Sequence, residues 1–152
     1  MNEWGFSLIG LAIALAVLAP NLLLPVFPPV GGIPRTKDAG LPFTILERAG
    51  QVGCLALLAA SGERFDHFSA WIPPLAICVG AYWALWARYV VRRRFDQLYA
   101  SLGAIPVPMA VFPVLAFGFA ALWASSWWLG IAMVVLAIGH LTTSVAVRRS
   151  LA

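Results

Sequence analysis

The stretch from Gln97 to Val147 contains no formally charged residue. As one helix rising ~1.5 Å per residue it would extend roughly 75 Å, more than twice the ~30 Å hydrocarbon core of a bilayer. It must therefore double back. The hinge is expected at Ala124-Ser125-Ser126, flanked by Trp123, Trp127 and Trp128, because tryptophan prefers the boundary between hydrocarbon and water. A second uncharged run, from Trp4 to Pro34, holds another apolar segment of spanning length that closes at Pro20-Asn21 and then Pro25, before the run Pro28-Pro29-Val30-Gly31-Gly32-Ile33-Pro34, which cannot sustain a helix.

Composition agrees with a chain whose main solvent is lipid. Hydrophobic residues make up 62% of the 152 and charged residues 11%, with a mean hydropathy of +0.89, against soluble averages of about 45–50% and about 25%. At roughly 20 residues per span the chain is filled by membrane segments, so residues 1–152 are expected to form a single polytopic domain. The expected fold is an all-α integral membrane bundle of five transmembrane helices, at about 5–24, 43–60, 68–89, 105–123 and 127–147. The second is the weakest case, since Glu47 and Arg48 fall in its first two turns. Ser61 to His67 reads as a polar turn, the pair Pro73-Pro74 as tolerated near the start of the third span, and Arg92-Arg93-Arg94 as its exit.

Orientation follows from the cations. Alternate sides of this plan receive Arg35, Lys37, Arg48, Arg88, Arg92, Arg93, Arg94, Arg148 and Arg149 on one face and Arg64 alone on the other. The positive-inside rule makes the first face cytoplasmic, with the N-terminus outside and the C-terminus inside. The net charge of +4 is thereby explained without nucleic acid, and membrane lipids are the expected surroundings, in a bacterial-type cytoplasmic (plasma) membrane. Met1-Asn2-Glu3-Trp4 lacks the basic start of a cleavable leader, so the first span should be retained. Cys54 and Cys78 lie mid-span without pairing geometry and read as buried thiols.

Polar side chains inside spans are expensive and mark candidate sites. Asn21, Glu47, Gln51, Arg88, His140 and Thr143 all fall in the half of the bundle nearer the basic face. On the second span Glu47, Gln51 and Cys54 recur at i, i+4 and i+7 beside Gly50 and Gly53, a face that another helix, from this chain or a partner, can approach closely. Arg48 lies about 100° around the helix and should snorkel outward. Glu47 then needs Arg88 or His140. Two readings stand for this acid and this histidine: polar glue that holds the bundle together, or groups that exchange a proton with, or anchor, a ligand.

Tyr82 and Trp86 could line an apolar pocket, as could Trp83, Phe112, Phe117, Phe119 and Trp123, or these rings could simply face lipid. Pro106, Pro108 and Pro113 are expected to interrupt the fourth span and bend it. Phe95, Leu98, Tyr99 and Leu102 have the spacing of a short interfacial helix beside the arginine triplet, which reads either as a headgroup site or as an ordinary basic turn. Histidines at opposite depths cannot share a haem iron, no three or four metal ligands have converging spacing, and there is no phosphate loop, nucleophile elbow or nucleotide fingerprint. No cofactor or metal is implied.

The expected function is binding or carrying an apolar or lipid-like small molecule in a pocket open near the cytoplasmic leaflet. Glu47 and His140 would do the chemistry if there is any, and Asn21, Gln51, Tyr82, Trp86, Arg88 and Thr143 would hold the ligand. The alternatives are a membrane-embedded enzyme moving protons on a lipid or isoprenoid substrate, and an accessory subunit that packs a partner helix on the Gly50 and Gly53 face. In its five spans, length, tryptophan content and long first loop the chain is similar to the tryptophan-rich sensory (translocator) proteins, a family that binds porphyrins and other apolar ligands. The first-loop signature of that family does not map onto Pro25 to Leu41, so no residue role is carried over.

Overall fold

A computed structural model describes residues 4–37 and 39–151. The expectation resting on Met1-Asn2-Glu3 and the position of Asp38 lie outside these. The described chain is helical: α1 (Leu8–Leu18) continues through a 3-10 turn (Ala19–Leu22) into the single turn α2 (Leu23–Val26), followed by α3 (Leu41–Ala59), α4 (Ile72–Arg92), α5 (Pro108–Trp123) and α6 (Trp127–Leu151). Leu8–Val26, α3, α4 and α6 are each long and apolar enough to cross a membrane, and α5, at 16 residues, is a shorter apolar helix. The result is a helical integral membrane bundle.

Local chemistry sets the ends. Ser7 caps α1, its Oγ accepting the Gly10 N–H at 3.1 Å, so this serine serves the backbone. Pro42, Pro73 and Pro108 sit in the first turns of α3, α4 and α5, where a proline gives up an N–H that has no helical partner in any case. The third span therefore begins at Ile72, not near Phe68. Pro106 precedes α5, Pro108 opens it, and only Pro113 stands inside the helix, so the expected threefold interruption of this span reduces to one.

The first span does bend. Pro20 lies in the 3-10 turn and has no N–H to give the Ala16 carbonyl one helical turn back. The Trp83 indole of α4 donates to that carbonyl at 2.9 Å. Helix-freed backbone in a lipid environment needs such a substitute.

Packing runs in a ring, α4 against α5, α5 against α6, α6 against α3 and α3 against α1, while α1 has only slight contact with α4 and α5. The α3–α6 contact is the most extensive and is antiparallel. A Cβ on Gly50 would run into the Leu136 backbone, and one on Gly139 into the backbones of Glu47 and Phe43. The face offered to a partner helix is thus filled by α6 of the same chain, with Gly53 against Ala132.

At one end of the bundle Gly5 and Ser7 pair with the chain after α3, Trp123 donates to the His67 carbonyl at 3.0 Å, and Phe65 meets Trp123 edge-on. The hinge falls where expected, with Ser125 in the left-handed region at φ 48° and Ser126 Oγ accepting the Leu129 N–H. Trp127 and Trp128 are exposed there. At the other, basic end, the Arg93 guanidinium makes two bonds to the Pro28 carbonyl, at 3.0 and 2.8 Å, and its own carbonyl takes the Val30 N–H. The first loop is held against the arginine triplet in this way.

Candidate functional site in the basic half of the bundle

Along α4, Tyr82, Trp86 and Tyr89 share one face at i, i+4 and i+7 and are all buried. Their rings meet edge to face, at 6.4 Å and 5.5 Å between centroids, the preferred arrangement for aromatic quadrupoles. The two phenols reach the first span and its exit. Tyr82 donates to Asn21 Oδ1 and Tyr89 to the Phe27 carbonyl, both at 2.8 Å. Asn21 lies in the 3-10 turn that Pro20 imposes, so the bend delivers its amide to Tyr82.

The chain between α4 and α5 closes this region from below. Phe95–Leu98 forms one 3-10 turn, and Leu98 is buried while Phe95 and Tyr99 pack against the aromatic cluster. The expected interfacial helix is therefore absent. Leu98, Phe95 and Tyr99 are turned up into the bundle, where the α4 rings offer a drier surface than headgroups, whereas Leu102 is left exposed. Arg94 braces the turn by a two-pronged pair with Asp96, at 3.0 and 2.9 Å, which holds the Asp96 carboxyl below the usual aspartate range.

Between these parts lies a cavity of about 180 Å³. Asn21 and Leu24 come to it from the first span, Tyr82 and Trp86 from α4, and Leu98 and Tyr99 from the turn. The start of α5 adds Val107, Met109 and Ala110, and α6 adds His140 and Ser144. Trp86 is only 4% exposed, and its Nε1 is buried beside the Tyr82 phenol without completing a hydrogen bond. Pro113 has no N–H for the Met109 carbonyl, so a backbone acceptor is freed at the same wall. Burial, reinforced by the negative charge of Glu47, pushes the Tyr99 phenol above its usual value and keeps it protonated.

Glu47 stands behind His140. Its Oε1 lies 2.8 Å from His140 Nδ1, with both side chains partly buried. Of the two cations that the sequence offers Glu47, the structure selects the histidine. Arg88 is committed elsewhere, its Nη2 donating to the Gln97 carbonyl at 3.2 Å while its Nε is buried and unpartnered. Arg48 is exposed, as its position around the helix requires. With Nδ1 engaged, Nε2 is the imidazole nitrogen left for whatever fills the cavity. A carboxylate that fixes the tautomer and orientation of an imidazole is the usual means of preparing the second nitrogen for a hydrogen bond or a proton.

Of the residues singled out from sequence, Asn21, Tyr82, Trp86 and His140 converge on the cavity, and Glu47 supports it from one layer back. Gln51, Arg88 and Thr143 do not line it. The Thr143 hydroxyl is buried on α6 near the Glu47 carboxyl without completing a hydrogen bond, and Gln51 is half-buried on α3. Ser144 is the wall residue that sequence could have supplied, since it lies four positions after His140 on the same helical face. Among the described residues no three metal-ligating side chains come together. Compared with known protein families, curated proteins and solved structures, the chain matches none.

Proposed function

We propose that the chain binds a small amphipathic, lipid-like molecule, with its polar end in this cavity and its apolar remainder lying between helices toward the bilayer. The carrying observation is the Trp86 indole N–H, buried on the cavity wall beside the Tyr82 phenol without completing a hydrogen bond. An indole nitrogen donates and cannot accept. Leaving such a donor dry costs about 1–3 kcal/mol, so a guest that brings an acceptor is stabilised where an empty or purely apolar filling is not. The Glu47–His140 pair adds a second oriented nitrogen on the same guest. Under the positive-inside rule the basic end faces the cytoplasm, which sets the cavity in the inner leaflet of a bacterial-type plasma membrane.

A second reading, proton exchange with the bound molecule, is favoured by one feature. A carboxylate-held imidazole lines the cavity, which is more hardware than passive binding needs. Extraction in mild detergent followed by mass spectrometry of co-purified small molecules tests both. A stoichiometric guest is expected, and it should be lost from Trp86→Phe while the protein stays folded. If Glu47→Gln keeps the guest but a chemically altered form of it accumulates with the unaltered protein alone, proton exchange is the better description. A protein that purifies with no guest, and whose Trp86→Phe variant differs in nothing, refutes the binding proposal.

A further inference from the structure

We infer that the head of the bound molecule is a single uncharged ring bearing acceptor oxygens, of the quinone or cyclic-ketone class, on an apolar tail. This rests on the cavity being a binding site and goes on to say what fits it. Size comes first. An apolar cavity of roughly 150 Å³ accepts one benzene ring, so a cavity of about 180 Å³ has room for one substituted ring. Its lining agrees, because Trp86 and Tyr99 contribute aromatic surface and Leu98 and Val107 hydrocarbon.

Charge is the second constraint. None of the residues lining the cavity is Asp, Glu, Lys or Arg, and the one titratable base, His140, already has Glu47 at 2.8 Å as its counterion. A carboxylate, phosphate or ammonium head would be taken out of water with no charge left to meet it, which is prohibitive in a dry site. The third constraint is the sense of the hydrogen bonds. Tyr82 has given its proton to Asn21, whereas the Trp86 N–H, beside the Tyr82 phenol, completes no hydrogen bond and the Tyr99 phenol keeps its proton. These unspent donors call for oxygen acceptors on the guest, while the freed Met109 carbonyl and the Ser144 hydroxyl leave a place for a donor as well. Carbonyl oxygens on a ring supply acceptors without adding charge.

Binding by the intact protein in detergent, measured calorimetrically, separates the possibilities with three probes that share a ten-carbon tail: decyl-1,4-benzoquinone, decylbenzene and decanoate. The quinone is expected to bind at least about tenfold more tightly than decylbenzene, the size of effect one or two hydrogen bonds to buried donors supply. Decanoate should bind no better than decylbenzene. In Trp86→Phe the quinone should weaken about tenfold and decylbenzene should not change. The comparison of probes on the unaltered protein stands whether or not that variant folds. Equal binding of quinone and decylbenzene overturns the need for acceptors, and preference for decanoate overturns the uncharged head. Failure of all three while a guest still co-purifies refutes the assigned class and leaves the binding proposal intact. Failure of all three with no co-purified guest refutes both.

Discussion

Glu47 meets a partner 93 positions away in sequence, and that pairing decides what a carboxylate is doing in a membrane segment. Neither group would be stable there alone, since each would carry an unmet polar or charged atom into a medium without water. A hydrogen bond involving a charged group contributes about 1.5–3 kcal/mol, so His140→Ala and Glu47→Ala should each lower unfolding stability in detergent by about 2 kcal/mol. The double substitution should be little worse than either single one, because both remove the same bond. Glu47→Gln keeps an oxygen facing Nδ1 and should stay nearer the parent. Additive losses in the double variant would show that the two residues act apart. The sequence placed both at comparable depth and gave Glu47 two possible partners. It could not choose between them, because the choice depends on α6 crossing α3 at a particular angle and on Arg88 being drawn off by Gln97.

Among the elements, the α3–α6 pair depends most on missing side chains. Gly50 and Gly139 let two backbones touch, and any side chain at either position meets main chain that cannot rotate away. Gly50→Val or Gly139→Val should therefore destabilise by more than about 3 kcal/mol, the range of overpacking against rigid backbone. Gly80 is the contrast. It lies within α4 with nothing near its absent Cβ, so Gly80→Ala should stabilise by about 0.5–1 kcal/mol through helix propensity alone. Chemical unfolding of the three variants checks both signs. Close approach at Gly50 was legible from its place beside Glu47 and Cys54. The prolines were harder to read, because one residue type both starts helices and breaks them. Pro42, Pro73 and Pro108 start them, whereas Pro20 and Pro113 lie where a carbonyl is freed, and only the frame of the surrounding helix tells these cases apart.

At the scale of the molecule, hydropathy and charge carried the architecture, since five apolar segments joined by polar turns admit few other solutions. The cavity was half legible. Asn21, Tyr82, Trp86 and His140 are polar or aromatic residues set at related depths, and depth can be counted along a helix. Leu98, Tyr99 and Val107 belong to a connection whose path is set by tertiary packing, and the helical spacing of Phe95, Leu98, Tyr99 and Leu102 points to a longer helix than the one turn that forms there. Orientation is directly testable. With Cys54 and Cys78 buried, single cysteines introduced as His67→Cys and Arg149→Cys should differ on intact cells. An impermeant maleimide should label the first, while the second should react only after permeabilisation, and the reverse pattern would invert the topology.

The seam between the first span and α4 is the place where the ring of helices has little packing and three aromatic donors instead: Trp83 to Ala16, Tyr82 to Asn21 and Tyr89 to Phe27. Interlocked apolar side chains must all part together, whereas hydrogen bonds can be exchanged one at a time for those a newcomer offers. One of these links, Tyr82 to Asn21, stands on the cavity wall. If the cavity holds a guest as proposed, the seam would govern how fast it comes and goes more than how tightly it is held. Tyr82→Phe, which removes one latch and leaves Trp86 and His140 in place, should raise association and dissociation rates together by severalfold while the equilibrium constant moves by less than about threefold, under roughly 0.7 kcal/mol.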